Sequence, residues 1–265
     1  MPRTNLSSLP ASTAVSWDPE LPAPGGLCAI HQPNLFPRLT TLAKLFAADY
    51  WIVLNDVQFT RRDYQQRTRL ADLDDPNRRQ WLSIPTHLPA GRPTTIRDAL
   101  VVEPHRARRR TAAMLRQHYR SSPHWAALDQ ALDPVLDLFE ATGKTAAVAE
   151  ASTRILLDLL GWKGQILRSS QLSARPGRSQ RLADLAAVTG ARSYLCGTGG
   201  MKYLDAGLFA AAGIGVTPFR TPAGGMWDSG RQISALWALM NKGPQDMASR
   251  LRAIAAVQHE LRPAA

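Results

Sequence analysis

Cysteine is nearly absent from this chain. Cys28 and Cys196 are the only two, far apart and in no metal-ligand spacing. That excludes a disulfide framework and a cysteine-rich zinc site. No HExxH pattern or close Cys/His set appears, so no metal centre is expected. Long apolar runs are also missing. The richest stretch, residues 206–216, is interrupted by Gly207, Gly213 and Gly215, well short of the ~18 apolar residues of a membrane-spanning helix. Residues 1–25 hold Ser, Thr and Pro without the apolar core of a signal peptide, and read as a flexible tail. The expected setting is the cytoplasm, with both thiols reduced. Acidic residues are scarce: 21 Asp and Glu stand against 32 Lys and Arg, a formal net charge of +11. Such a surface attracts anionic partners at long range, among them nucleotide-sugars, anionic membranes, nucleic acids and acidic carrier proteins. The basic runs lack the interleaved stacking aromatics of RNA-binding modules, so specific nucleic-acid readout is not expected.

The chain does have enough apolar residues for a core, 45% of 265, and they fall into alternating strand and helix patterns. Residues 26–31 (GLCAIH) and 50–55 (YWIVLN) read as buried strands around a helix at 39–48, a β-α-β unit. Further strands are expected at 81–85, 164–168, 192–196 and 214–219. Helices are expected at 104–119, at two places within 123–160, and at 179–189, 201–212, 233–241 and 245–259. The pattern predicts an α/β, Rossmann-like fold: a mostly parallel sheet flanked by helices, in one domain over 26–262, with a helical insertion at about 104–160.

Ligands of parallel sheets bind at the carboxyl ends of the strands, so reactive side chains placed there carry the functional reading. His31 ends the first strand, where Pro33 forces an extended exit. Asp56 ends the second, and Cys196 a late one. These are the residue types of a nucleophile–base–orienter relay. Cys196 precedes the turn Gly197-Thr198-Gly199-Gly200 and an expected helix from 201. A helix N-terminus there would favour thiolate, and the glycine N–H groups would suit an oxyanion. Equally, Cys196 fits a buried small apolar residue, His31 a structural histidine and Asp56 a turn carboxylate. The segment 58–69 carries Arg61, Arg62, Arg67 and Arg69, which suit a phosphate or carboxylate or form a solvated basic loop. The glycine turn matches neither the P-loop nor the GxGxxG fingerprint.

Five ordered blocks carry a resemblance. They are HQPNLFP at 31–37, NDVQF at 55–59, QQRTR at 65–69, WLSIP at 81–85 and YLCGTGGMKYLD at 194–205. Together they resemble the WbqC-like proteins, whose typical blocks are HQPxYxPW, DDVQF, WQNRNR, a Trp-Leu-x-x-Pro strand and YLSGxGGxxYL. Arg38 stands in place of the usual Trp, Asn55 in place of the first Asp, and Cys196 where Ser is frequent. The resemblance implies roles in polysaccharide or natural-product biosynthesis, where amines receive acyl groups. The expectation is therefore an acyl or aminoacyl transferase that forms an amide from a carrier-protein thioester. Cys196 would attack, His31 relay the proton and Asp56 orient His31. Gln32, Asn34, Gln58, Arg62, Arg67, Arg69, Gly197, Gly199, Gly200 and Tyr203 would bind substrate. No cofactor is expected beyond the phosphopantetheine arm of an acidic acyl or peptidyl carrier protein, with a small amine as acceptor. The alternatives are a nucleotide- or nucleotide-sugar-binding transferase without a covalent intermediate, and a non-enzymatic binding protein.

Overall fold

The computed structural model describes residues 26–261; the tail expected at 1–25 lies outside the described residues. In chain order the elements are β1 (Leu27–His31), α1 (Leu39–Phe46), β2 (Tyr50–Val53), β3 (Arg67–Ala71), β4 (Arg79–Ser83), β5 (Thr86–His87), β6 (Leu100–Val101), α2 (Pro104–Tyr119), α3 (Trp125–Ala141), α4 (Thr145–Leu159), β7 (Gln165–Arg168), α5 (Arg178–Val188), β8 (Ser193–Gly197), α6 (Ala206–Ala211), β9 (Gly215–Phe219), α7 (Met226–Gly230) and α8 (Ala235–Glu260). Five strands form one all-parallel sheet in the order β7-β2-β1-β8-β9. Helices cover both of its faces, the Rossmann-like arrangement.

Burial on both faces explains why β2 reads Tyr-Trp-Ile-Val without a charged residue. The period of two divides the strands between two cores. Ala29, Trp51, Val53 and Leu195 pack with Leu42 of α1, Leu156 of α4 and Leu239 of α8. Cys28, Ile30, Tyr50, Ile52, Tyr194 and Cys196 pack with Leu185 of α5 and Phe209 of α6. The helices α2, α3 and α4 match the expected helical region, and they share the first of these cores through Leu115, Leu128 and Leu157.

Two expectations are corrected. The strand expected at 81–85 does not join the parallel sheet. It is β4, paired antiparallel with β3 so that Arg69 faces Trp81 and Thr68 faces Leu82. The sequence of β3, alternating Arg67 and Arg69 with buried Thr68 and Leu70, is that of a half-covered antiparallel strand. The helix expected from Met201 begins only at Ala206, because Asp205 caps it by accepting from the Gly207 N–H at 3.0 Å. A single 3-10 turn, Gly200–Lys202, stands where its first turn was expected. The two closing helices stand as expected: α8 consists of two helical runs separated at Gly243, whose φ of 80° and ψ of 161° are not helical. A Cβ there would lie 2.6 Å from the His124 ring, so both the backbone and the space require glycine.

The loop from β1 to α1 is held by buried polar groups. Phe36, with φ 38°, donates its N–H to Ser152 Oγ at 2.8 Å. Its carbonyl accepts from Thr68 Oγ1 and Ser234 Oγ, both at 2.9 Å. The carbonyl of Asn34 accepts from Thr153 Oγ1 at 2.9 Å. Strand β3 and helices α4 and α8 thus fix the segment that leads from His31 to Arg38.

Candidate functional site

The strand order places a topological switch beside β1. From β1 the chain builds outward through β2 to β7, then returns to lay β8 on β1's other edge. Pairing of β1 with β8 covers only Leu27 with Ser193 and Cys28 with Tyr194. Beyond those residues their carboxyl ends part, which opens the crevice where parallel sheets bind ligands.

A pocket of about 730 Å³ occupies that crevice. Its wall comes from Ile30 and His31 of β1, Tyr194 of β8, Phe219 of β9 and the Gly197–Gly200 turn. The charged groups that line it are Arg38, Lys44, Arg220 and Arg231, with Thr40, Thr41 and Thr221 between them. Among the described residues no carboxylate lines it. A second pocket of about 480 Å³ adjoins it across His31, Ile30, Arg38 and Tyr194. That pocket is mixed, with Gln32, Asn34, Asp63, Arg178 and Arg181 beside Leu54, Val57 and Leu182.

His31 belongs to both pockets. Its Nδ1 lies 2.8 Å from the Gln32 carbonyl. A carbonyl only accepts, so Nδ1 carries the proton and Nε2 keeps the lone pair. Burial, then the charge of Lys44 and, more weakly, that of Arg38 push the imidazole from 6.5 down to about 3, against the pull of the Gln32 bond. His31 is therefore neutral at pH 7. Arg38 also lines both pockets. Its guanidinium lies 4.3 Å over the Tyr64 ring, and Nη1 donates to the Arg231 carbonyl at 3.2 Å.

The expected relay of Cys196, His31 and Asp56 is not assembled. Asp56 accepts from Ser169 Oγ at 2.5 Å on one carboxylate oxygen and from Arg181 on the other, while His31 Nδ1 is taken by the Gln32 carbonyl. Alternation also separates His31 from Cys196. Cys196 joins Cys28 and Ile30 in the core under α5 and α6, whereas His31 falls in line with Ala29, toward α1. The thiol is 1% exposed and lies against the Gly197 carbonyl at 3.5 Å. Its pKa is raised, with burial outweighing Lys44 and the Tyr194 hydroxyl. The acidic thiol expected from a helix start is absent because the helix starts at Ala206.

Of the expected substrate-binding residues, Gly197, Gly199 and Gly200 line the first pocket, and Gln32 and Asn34 the second. The others line neither. Gln58 donates to the Arg92 carbonyl at 2.8 Å. Arg62 supplies a carbonyl to Arg67. Arg67 and Arg69 stack on Trp81 at 4.3 and 4.7 Å, and exposed Tyr203 lies under Arg178 at 4.9 Å. The cations that do line the first pocket, Arg38, Lys44, Arg220 and Arg231, were not among the site residues expected from the sequence. Only Lys44 left a usable sign. Thr40, Thr41 and Lys44 are polar at i, i+1 and i+4 on a helix that is otherwise apolar.

An all-parallel sheet flanked by helices, with a polar crevice at its switch point, defines the chain as a Rossmann-like α/β protein. The model of the WbqC-like protein family matches residues 32–248, and the chain belongs to that family. It is 25% identical over 209 residues to an uncharacterized protein of Mycobacterium tuberculosis, Rv1507c, covering 79% of this chain and 86% of that one. No solved structure gives a significant match. Among the described residues, no helix is long and apolar enough to cross a membrane, and no group of His, Cys, Asp or Glu could hold a metal ion.

Proposed function

We propose that this protein is a transferase whose donor carries phosphate, a nucleotide or nucleotide-sugar, with the group transferred to a hydroxyl or amine in the adjoining pocket. The observation that carries the reading is the switch-point pocket, lined by four cationic side chains and a glycine turn with no acid among them. Its volume suits a small ligand, and arginines hold phosphate through paired N–H donors. His31, shared by both pockets and neutral, is placed to take a proton from the acceptor. A bound anion offsets the Lys44 and Arg38 charges that depress its basicity. The setting proposed is the cytoplasm, where Cys28 and Cys196 remain free thiols.

Calorimetric titration with uridine diphosphate tests the reading. Saturable binding is expected, weakened roughly ten-fold or more by Arg231→Ala or Arg220→Ala, the loss of about one charge-assisted hydrogen bond. Arg67→Ala, outside both pockets, is expected to leave it unchanged. Absence of binding, or equal loss in Arg67→Ala, would overturn it.

Amide-forming acyl transfer from a carrier-protein thioester is a second reading, favoured by the Cys196 sulfur lying beneath the turn that lines the pocket. A Cβ on Gly200 would come within 2.7 Å of it. The phosphate of a phosphopantetheine arm would use the same cations, and the +11 charge would steer an acidic carrier protein. An acyl adduct on Cys196, seen by mass spectrometry after incubation with acyl-carrier protein, would replace the first reading by this one.

A further inference from the structure

Helix α1 is buried along most of its length, and Lys44 is buried with it at 6% exposure. Among the described residues no hydrogen bond or ion pair reaches its ammonium group. A buried charge without a partner is costly, and proteins normally pair it or neutralise it. Lys44 does have one open direction, into the switch-point pocket that it lines.

Among the described residues the surroundings supply no counter-charge. Cys28 and His31 of β1 and Cys196 of β8 lie within electrostatic range of it, and Arg38 precedes its own helix. Arg220 and Arg231 line the same pocket. The carboxylates on the elements packed against α1 are engaged elsewhere or lie far along the chain. On α7, Asp228 accepts from the Gly224 N–H. On α4, Glu150 is held by Arg168 and Asp158 by Arg154. On α8, Asp246 pairs with Arg250, and Glu260 is the last residue.

We propose that the Lys44 ammonium is reserved for the substrate: it pairs with a phosphate oxygen of the ligand in the switch-point pocket, and binding draws a proton onto it from solution. The inference rests on the reading of that pocket as a phosphate site. Burial brings Lys44 from 10.5 down to about 8 in the free protein. An anion placed against it favours the charged form and raises that value again. Proton uptake on binding follows at pH values above about 8 and vanishes near pH 6.5, where the amine is already protonated.

Calorimetry with uridine diphosphate at pH 6.5 and 8.5, each in two buffers of different ionisation enthalpy, tests this. Terminal phosphates titrate near 6, so at pH 8.5 the ligand contributes no proton of its own. Wild-type protein is expected to take up more than about half a proton at pH 8.5 and almost none at pH 6.5. Lys44→Met keeps the apolar stem without the charge. It is expected to lose the uptake and to bind at least about ten-fold more weakly at pH 6.5. Wild-type binding without uptake at pH 8.5 overturns the role of Lys44 and leaves the phosphate pocket standing. So does a Lys44→Met protein that keeps affinity and uptake. Failure of wild-type protein to bind uridine diphosphate overturns both. Because the wild-type uptake is decisive alone, the test survives a variant that does not fold.

Discussion

Burial of Lys44 and His31 lowers the stability of the fold, and that has a pH signature. The pKa of Lys44 falls from 10.5 to about 8 on folding. Between those values the unfolded chain binds more protons than the folded one, so stability rises with pH across the window. Below pH 8 the full cost of the buried ammonium is present. Lys44→Met should therefore stabilise the protein at pH 7 by up to about 3 kcal/mol, since a tenfold change in proton affinity is worth roughly 1.4 kcal/mol. It should also abolish the rise between pH 8 and 10.5, as denaturant midpoints will show. A residue with a structural role would give the opposite sign. His31 acts at the other end of the scale. Its pKa falls from 6.5 to about 3, so the unfolded chain again holds the extra proton, and stability drops as pH falls from 6.5 toward 3. His31 was legible in the sequence because it ends an apolar strand beside Pro33. Lys44 left only the polar spacing of Thr40, Thr41 and Lys44 on an otherwise apolar helix, which marks a polar stripe and not its burial.

At the scale of elements, the Gly197–Gly200 turn is where the site and the core meet. Cys196 fills the space directly under Gly200, so the cysteine acts as a spacer below a turn that lines the pocket. Gly200→Ala should cost about 1–3 kcal/mol by overpacking and should weaken uridine diphosphate binding. Cys196→Ala should by itself leave binding in place. Combined with Gly200→Ala it should restore much of the loss, since the removed sulfur makes room for the new methyl. A double-mutant cycle on melting temperature and affinity measures this coupling, and strict additivity would dismiss the contact. Most elements were legible in the sequence from periodicity: β1, β2, β7, β8 and β9 fall where apolar runs predicted them, as do α1 and α2–α5. The hairpin of β3 and β4 was misread because four arginines in 58–69 looked like a binding loop. Two of them, Arg67 and Arg69, instead stack on Trp81 across the strand pair. The start of α6 was misplaced because the Asp205 cap competes with four residues of plausible helix before it.

For the whole molecule, the +11 charge and a pocket without carboxylates act in the same direction on an anionic ligand. Association should slow, and affinity fall by about ten-fold, between roughly 0.05 and 0.5 M salt, as long-range attraction is screened. Stopped-flow rates at several ionic strengths will show whether the loss lies in association. A salt-independent rate would mean that the exposed arginines do no steering. Composition and periodicity were sufficient for the α/β class, the parallel sheet and the strand ends that line the switch-point pocket, because burial on two faces leaves a readable apolar pattern in every central strand; the five ordered blocks carried the family resemblance. They could not say which strand ends become neighbours or which way each side chain faces. The return of β8 to the far edge of β1 opened the crevice. The two-residue period turned Cys196 toward α5 and α6 and left His31 on the α1 side. The crossovers brought Lys44, Arg220 and Arg231, distant in sequence, around one pocket. Those are long-range choices made by packing, and no local run of residues records them.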